Sequence, residues 1–236
     1  MNYFLEILAS VIAVLFVFVP HEFAHAFIAY KNGDGTAKMY GRLTLNPIKH
    51  IEPMGIVLCI FTGFGWAKPV PINPYNFRKF RKGLFTTAIA GVVTNYIIAF
   101  LAYPLYLLIA KVVITSTALY HFIYFVSSVF FLIYLYSLSV FVFNLLPLYP
   151  LDGFRVVESL TREINPVRRF LKNYGYYILI FLVVESFLCD LLIEYTNLPY
   201  VIYFDILGYV QWFAQNIIGF PITAIWNSIF GLPIGF

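Results

Sequence analysis

The chain has 236 residues, of which 61% are hydrophobic and only 11% charged, with a mean hydropathy of +0.84; soluble domains carry about 25% charged residues. That composition excludes a soluble globular domain, and a formal charge of +4 is too small to point to nucleic acid as a partner. Several apolar runs exceed the roughly 20 residues that cross a bilayer, so the expectation is a multi-pass membrane protein in contact with lipid.

Residues 4–30 form the first expected span. No basic region precedes it, and the first cation is Lys31, so the segment reads as a retained anchor and not as a cleavable signal peptide. Residues 31–53 are polar and basic, with Gly33, Gly35 and Gly41 marking turns. Residues 54–67 are apolar but too short to cross as a helix, which predicts a dip into the membrane and a return. Pro69, Pro71 and Pro74 then exclude a helix and impose extended backbone. A small re-entrant β-like segment is therefore expected around residues 54–74. Its rim, Gly65 to Pro71, would have backbone groups free to pair with an unwound substrate strand, or it would be a rigid interfacial loop anchored by Trp66.

Residues 84–114 and 119–147 are each long enough for a span, and a short Ser/Thr link joins them. The stretch NLLPLYPLDGFR breaks the pattern, residues 155–172 are charged, and residues 174–194 read as another span. The tail, 195–236, is apolar and aromatic but interrupted by Pro199, Pro221 and Pro233; it holds either one more span or an interfacial helix. No internal repeat appears. The predicted fold is all-α and multi-pass, with about five to six transmembrane helices. It forms one membrane-embedded domain over residues 1–236, with a core at 1–194 and a tail of open topology.

Cations cluster by position: nine of the fifteen lie between Lys31 and Lys82, five more between Arg155 and Lys172, and Lys111 stands alone. The positive-inside bias puts both basic zones in the cytoplasm. Span 4–30 then starts outside, the 54–67 dip begins and ends inside, and spans 84–114 and 119–147 form a hairpin returning to the cytoplasmic side. The two cysteines, Cys59 and Cys189, have no motif spacing and read as buried free thiols.

Against this background His21-Glu22-Phe23-Ala24-His25 stands out, because ionisable side chains in hydrocarbon cost on the order of 3 kcal/mol each on insertion scales. The pattern is HExxH. Residues i and i+4 share a helix face, so both imidazoles can reach one metal ion, and Glu22 is placed to accept a proton from metal-activated water. Zinc needs a third protein ligand and keeps its fourth position for water. His50 and His121 are available, as are Glu6, Glu52, Asp152, Glu185, Asp190, Glu194 and Asp205. With an entry near Leu5, His21 lies about 24 Å in, at the cytoplasmic third of the membrane. Glu6, Glu194 and Asp205 belong towards the opposite face, and Glu185 and Asp190 to the middle or outer part of their span. Asp152 arrives from the right side, provided that Pro147 and Pro150 break the helix near Asn144. His50, in a polar loop, reads as a surface or capping residue.

HEFAH, the motif Gly91-Val-Val-Thr-Asn95 and the stretch from Asn144 to Gly153 together resemble the site-2 protease family of intramembrane zinc metalloproteases. RLTLNPIKHIEPMG and GFGWAKPVPINP are similar to its compact prokaryotic members without PDZ or CBS domains. The resemblance covers residues 1–172, and a proline that commonly follows the glycine of the middle motif is absent here. It implies one zinc per chain, held by His21, His25 and Asp152, with Glu22 as catalytic base and Asn95 and Asn144 near the active site. An asparagine amide such as that of Asn144 would help to stabilise an oxyanion, although intramembrane asparagines also simply bond neighbouring helices.

The expected function is hydrolysis of peptide bonds in or near transmembrane segments of membrane proteins, from an active site towards the cytoplasmic side of the cell membrane. Two alternatives use the same residue types. A metal or proton transporter also needs buried His, Glu and Asp, but commonly shows related halves. A catalytically inactive relative would bind membrane partners without cutting them.

Overall fold

The computed structural model describes residues 3–55, 67–112, 117–196 and 199–233. Helix α1 runs from Tyr3 to Lys31 and continues through Pro20; a single turn, α2, covers Thr36–Met39. The long helices α3 (Phe80–Ala110) and α4 (Thr117–Leu145) follow, then the short α5 (Asp152–Leu160) and the long α6 (Pro166–Thr196). In the tail, α7 (Ile206–Phe213), a π-helical turn at Ala214–Ile218 and α8 (Phe220–Ile229) follow one another. Four helices among the described residues are long and apolar enough to cross a membrane: Phe4–Lys31, Phe80–Ala110, Leu119–Leu145 and Pro166–Thr196. Five to six were expected; among its described residues the tail supplies no further helix of that length.

Helices α1, α3 and α4 pack on one another. Small side chains let them approach closely, which is how helices associate where lipid competes with every apolar contact. Ala9, Ala13 and Val17 recur every fourth residue along α1, all fully buried, and meet Ala99, Ala102 and Leu138 from the other two helices. Helix α6 is peripheral: only 6% of its apolar window is buried. It is tied to α5 by an ion pair between Arg168 Nη2 and Glu158 Oε1 at 2.6 Å, and Cys189, a buried free thiol, donates to Glu185 within it. Cys59 lies outside the described residues.

The tail packs back on the core. Trp226 Nε1 donates to the Phe100 carbonyl at 3.0 Å, and Tyr103 donates its hydroxyl proton to Asn227 at 3.1 Å. Lys111, at the end of α3 far from the HExxH motif, donates to the Phe230 carbonyl at 2.8 Å.

The segment between α2 and α3 is described only in part. Most of the predicted re-entrant piece, 56–66, lies outside the described residues, including Gly65 and Trp66. Residues 67–73 are described, and they form neither helix nor strand; no strand occurs among the described residues. Two Asn-Pro 3-10 turns punctuate this region, Pro47–Lys49 and Pro74–Asn76, each capped by the preceding asparagine, Asn46 or Asn73. His50 closes the first turn, but it is not a surface residue. It is 1% exposed and donates from Nε2 to the Thr44 carbonyl at 2.8 Å, because the loop folds over it.

Candidate metal centre and active site

His21 and His25 lie one turn apart on α1, 4% and 6% exposed, with ring planes nearly perpendicular and Nε2 atoms 2.9 Å apart. Asp152 meets them from the other end of the sequence. Its Oδ2 is 3.0 Å from His25 Nε2 and 3.3 Å from His21 Nε2. The break that delivers it falls where the prolines require it: α4 ends at Leu145 and α5 begins with Asp152, behind Leu151 at the cap. Asp152 is not itself the cap. The residue after it must be glycine, since a Cβ at Gly153 would collide with the carbonyl oxygens of Leu145 and Leu146.

Two carbonyl or amide partners turn the imidazoles inward. His25 Nδ1 donates to the Thr87 carbonyl on α3 at 2.7 Å, which leaves its Nε2 lone pair facing His21 Nε2 and Asp152 Oδ2. His21 Nδ1 lies 3.1 Å from Asn95 Nδ2, while Asn95 Oδ1 is buried without a partner. Rotating that amide by half a turn, an assignment set by hydrogen bonding and not by atom positions, lets Oδ1 accept from His21 Nδ1–H. Helix α3 approaches this closely because position 91 has no side chain. A Cβ at Gly91 would lie 2.6 Å from His21 Cε1 and nearer still to His25 Nε2.

The donors fit a zinc ion. A tetrahedral ion with bonds of about 2.0–2.1 Å spaces its ligands about 3.3 Å apart, close to the edges of the triangle formed by the two Nε2 atoms and Oδ2. Asp152 Oδ2 is buried with no hydrogen-bond donor, and the three ligand atoms all lie within 4.8 Å of one another. This is the one such His, Cys, Asp and Glu cluster among the described residues. His50 and His121 take no part in it.

A cavity of about 180 Å³ opens beside the cluster, lined by Glu22, Asn144, Thr87, Val70 and Arg155 as well as His21, His25 and Asp152. Asn144 reaches this wall, though its amide nitrogen donates to the Val140 carbonyl of its own helix at 3.1 Å. Glu22 Oε2 accepts from the Val70 N–H at 2.8 Å. Val70 N–H, one of the few donors the proline-rich rim could offer to a substrate strand, is thus turned to Glu22. Thr87 and Arg155 were not singled out from the sequence; Val70 was, as a rim donor for a substrate strand, and its N–H is given to Glu22 instead. A backbone group leaves no sequence signature, but Arg155 follows the LDG motif by two residues and was within reach of the same reasoning.

Comparison with known proteins identifies the family. The chain is 41% identical over 181 residues to YwhC of Bacillus subtilis (strain 168), covering 74% of this chain and 79% of YwhC. It is 29% identical over 223 residues to Rip2 of Mycolicibacterium smegmatis, covering 89% of this chain and 77% of Rip2. Each is named as a candidate zinc metalloprotease. No solved structure matches significantly. The model of peptidase family M50 matches residues 9–185, three quarters of the sequence and the whole of the site just described: this chain belongs to peptidase family M50.

Proposed function

We infer that the protein is an intramembrane zinc metalloprotease that hydrolyses peptide bonds in or near transmembrane segments of other membrane proteins. The observation that carries this is the convergence of His21, His25 and Asp152 on one point, beside a cavity that also exposes Glu22. A glutamate immediately after a ligand histidine has no task in transport, but it is the general base that peptide hydrolysis requires.

In this reading His21, His25 and Asp152 hold one zinc ion, which when bound acidifies water and polarises the scissile carbonyl. Glu22 accepts the proton from the attacking water and later returns it to the leaving amine. Thr87 and Asn95 fix the ring orientation of the two histidines from outside. Asn144, on the cavity wall, is placed to donate to the oxyanion once its bond to Val140 opens. The chain acts as one membrane-embedded domain over residues 1–236, and the clustered cations favour a multi-pass arrangement in the cell membrane with the site towards the cytoplasm.

The test is incubation of the detergent-purified protein with a panel of single-span substrates, before and after treatment with a chelator. Cleavage that stops on chelation and returns with added zinc supports the reading. Cleavage indifferent to chelation contradicts it.

A further inference from the structure

Glu22 is held from an unexpected direction. The N–H that meets its Oε2 belongs to Val70, 48 residues away. Pro69 and Pro71 flank Val70 and have no N–H of their own, and their rings fix φ near −65° on either side. Val70 is therefore the single backbone donor between Lys68 and Ile72, and its direction is constrained from both ends.

The segment that carries it is itself clamped. Lys68 donates its N–H to the His50 carbonyl at 2.9 Å. The Lys68 carbonyl accepts from Arg42 Nη2 at 2.6 Å, and Asn73 N–H donates to Asp34 Oδ2 at 2.8 Å. Arg42 is 7% exposed and Asp34 fully buried. Burying a charged side chain is costly unless its hydrogen-bonding capacity is used. Here two of them, one of each sign, are directed at the backbone of the same seven residues.

We propose that Arg42 and Asp34 are positioning residues for Glu22, acting through the 67–73 segment and the Val70 N–H. This rests on the reading of Glu22 as general base. A glutamate has three rotatable side-chain bonds, and a base must be within about 3 Å of the proton that it takes. Holding one carboxylate oxygen against Val70 removes that freedom before substrate arrives and leaves the second oxygen for the water. The basic loop after α1 thus acts on the chemistry without touching substrate or metal.

The experiment compares wild type with Arg42→Gln, Arg42→Lys, Asp34→Asn and Glu22→Ala as full-length protein in detergent. It measures bound zinc, kcat and KM on a single-span substrate, and hydrogen exchange in residues 67–71. In Arg42→Gln, zinc is retained, KM stays within about twofold and kcat falls on the order of 10- to 100-fold, part of the roughly 10²–10⁴-fold that a positioned general base contributes. Arg42→Lys recovers most of the rate, because only one guanidinium nitrogen contacts Lys68. Only Ala67, Lys68 and Val70 have amides in that stretch, so loss of one slow amide can be counted directly: Val70 exchanges slowly in wild type and fast in Glu22→Ala and Arg42→Gln. Unchanged kcat in both Arg42→Gln and Asp34→Asn, a loss confined to KM, or a Val70 amide as fast in wild type as in Glu22→Ala would overturn the proposal. Should Arg42→Gln fail to fold, Asp34→Asn kinetics and the Glu22→Ala exchange decide it. A wild type that cleaves nothing contradicts the protease reading, while the exchange data still decide the clamp.

Discussion

Asn95 reaches from α3 to His21, its amide 3.1 Å from the ring Nδ1 in a fully buried position where its second polar atom has no partner. The contact selects a tautomer. With Nδ1–H bonded to the amide oxygen, Nε2 keeps its lone pair free, as the proposed zinc site requires.

Asn95→Leu removes that acceptor and leaves the Nδ1–H unpaired in a buried site. Zinc affinity, measured by competition with a chelator of known affinity, should fall on the order of 10- to 100-fold. Asn95→Asp, which retains an acceptor, should lose much less. Equal losses in both variants would leave Asn95 as a helix-packing residue.

Gly91 tests how closely α3 must approach. A methyl group there collides with both imidazoles, so Gly91→Ala should abolish stoichiometric zinc binding while the protein stays folded by circular dichroism. Gly83→Ala, on the same helix but against the Phe77 ring, should keep its zinc.

Asp34 supplies a pH-dependent contribution to stability. Burial by itself would raise its carboxyl pKa, but hydrogen bonds from Thr36, Asn76 and the Asn73 backbone outweigh it and hold the group below its ordinary 3.8. A depressed pKa means that the stabilisation is complete above the unfolded-state value and is lost as the pH falls below it. Asp34→Asn should therefore destabilise the protein at neutral pH by about 1–3 kcal/mol, the range for losing bonds to a charged acceptor. The gap to wild type should narrow below about pH 4 in thermal melts. A gap that is the same at pH 3 and pH 7 would show that the charge is not what matters.

Orientation can be checked with single cysteines at exposed positions. Substitutions at Lys38 and Glu163 should react with an impermeant thiol reagent only from the cytoplasmic side, and one at His121 only from outside. The reverse labelling would overturn the topology drawn from the clustered cations.

Much of the site was legible because its chemistry is incompatible with its surroundings. Two histidines and a glutamate at helical spacing inside an apolar run need a reason to be there, and Pro147 and Pro150 made Asp152 the acid that could reach them from the correct side. The partners were less visible. Thr87 acts through a backbone atom, which any residue possesses, and the Val70 N–H was legible only as a donor to substrate, not as the partner of Glu22. His50 sits in a polar stretch that looks exposed until the loop closes over it, and Asp34 is short and flanked by glycines, like any turn residue. The tail was open because its apolar residues suit a span and its prolines do not; Trp226 and Asn227 dock it on α3 through two polar contacts that no periodicity announces.

The most direct test of the account separates the base from the ligands. Zinc content and cleavage of a single-span substrate are measured together for wild type, Glu22→Gln and Asp152→Ala. Wild type should bind one zinc per chain and cleave; Glu22→Gln should keep the zinc and lose cleavage by at least about 100-fold, since an amide cannot accept the water proton; Asp152→Ala should lose both. Turnover preserved in Glu22→Gln, or full zinc and activity in Asp152→Ala, would contradict it.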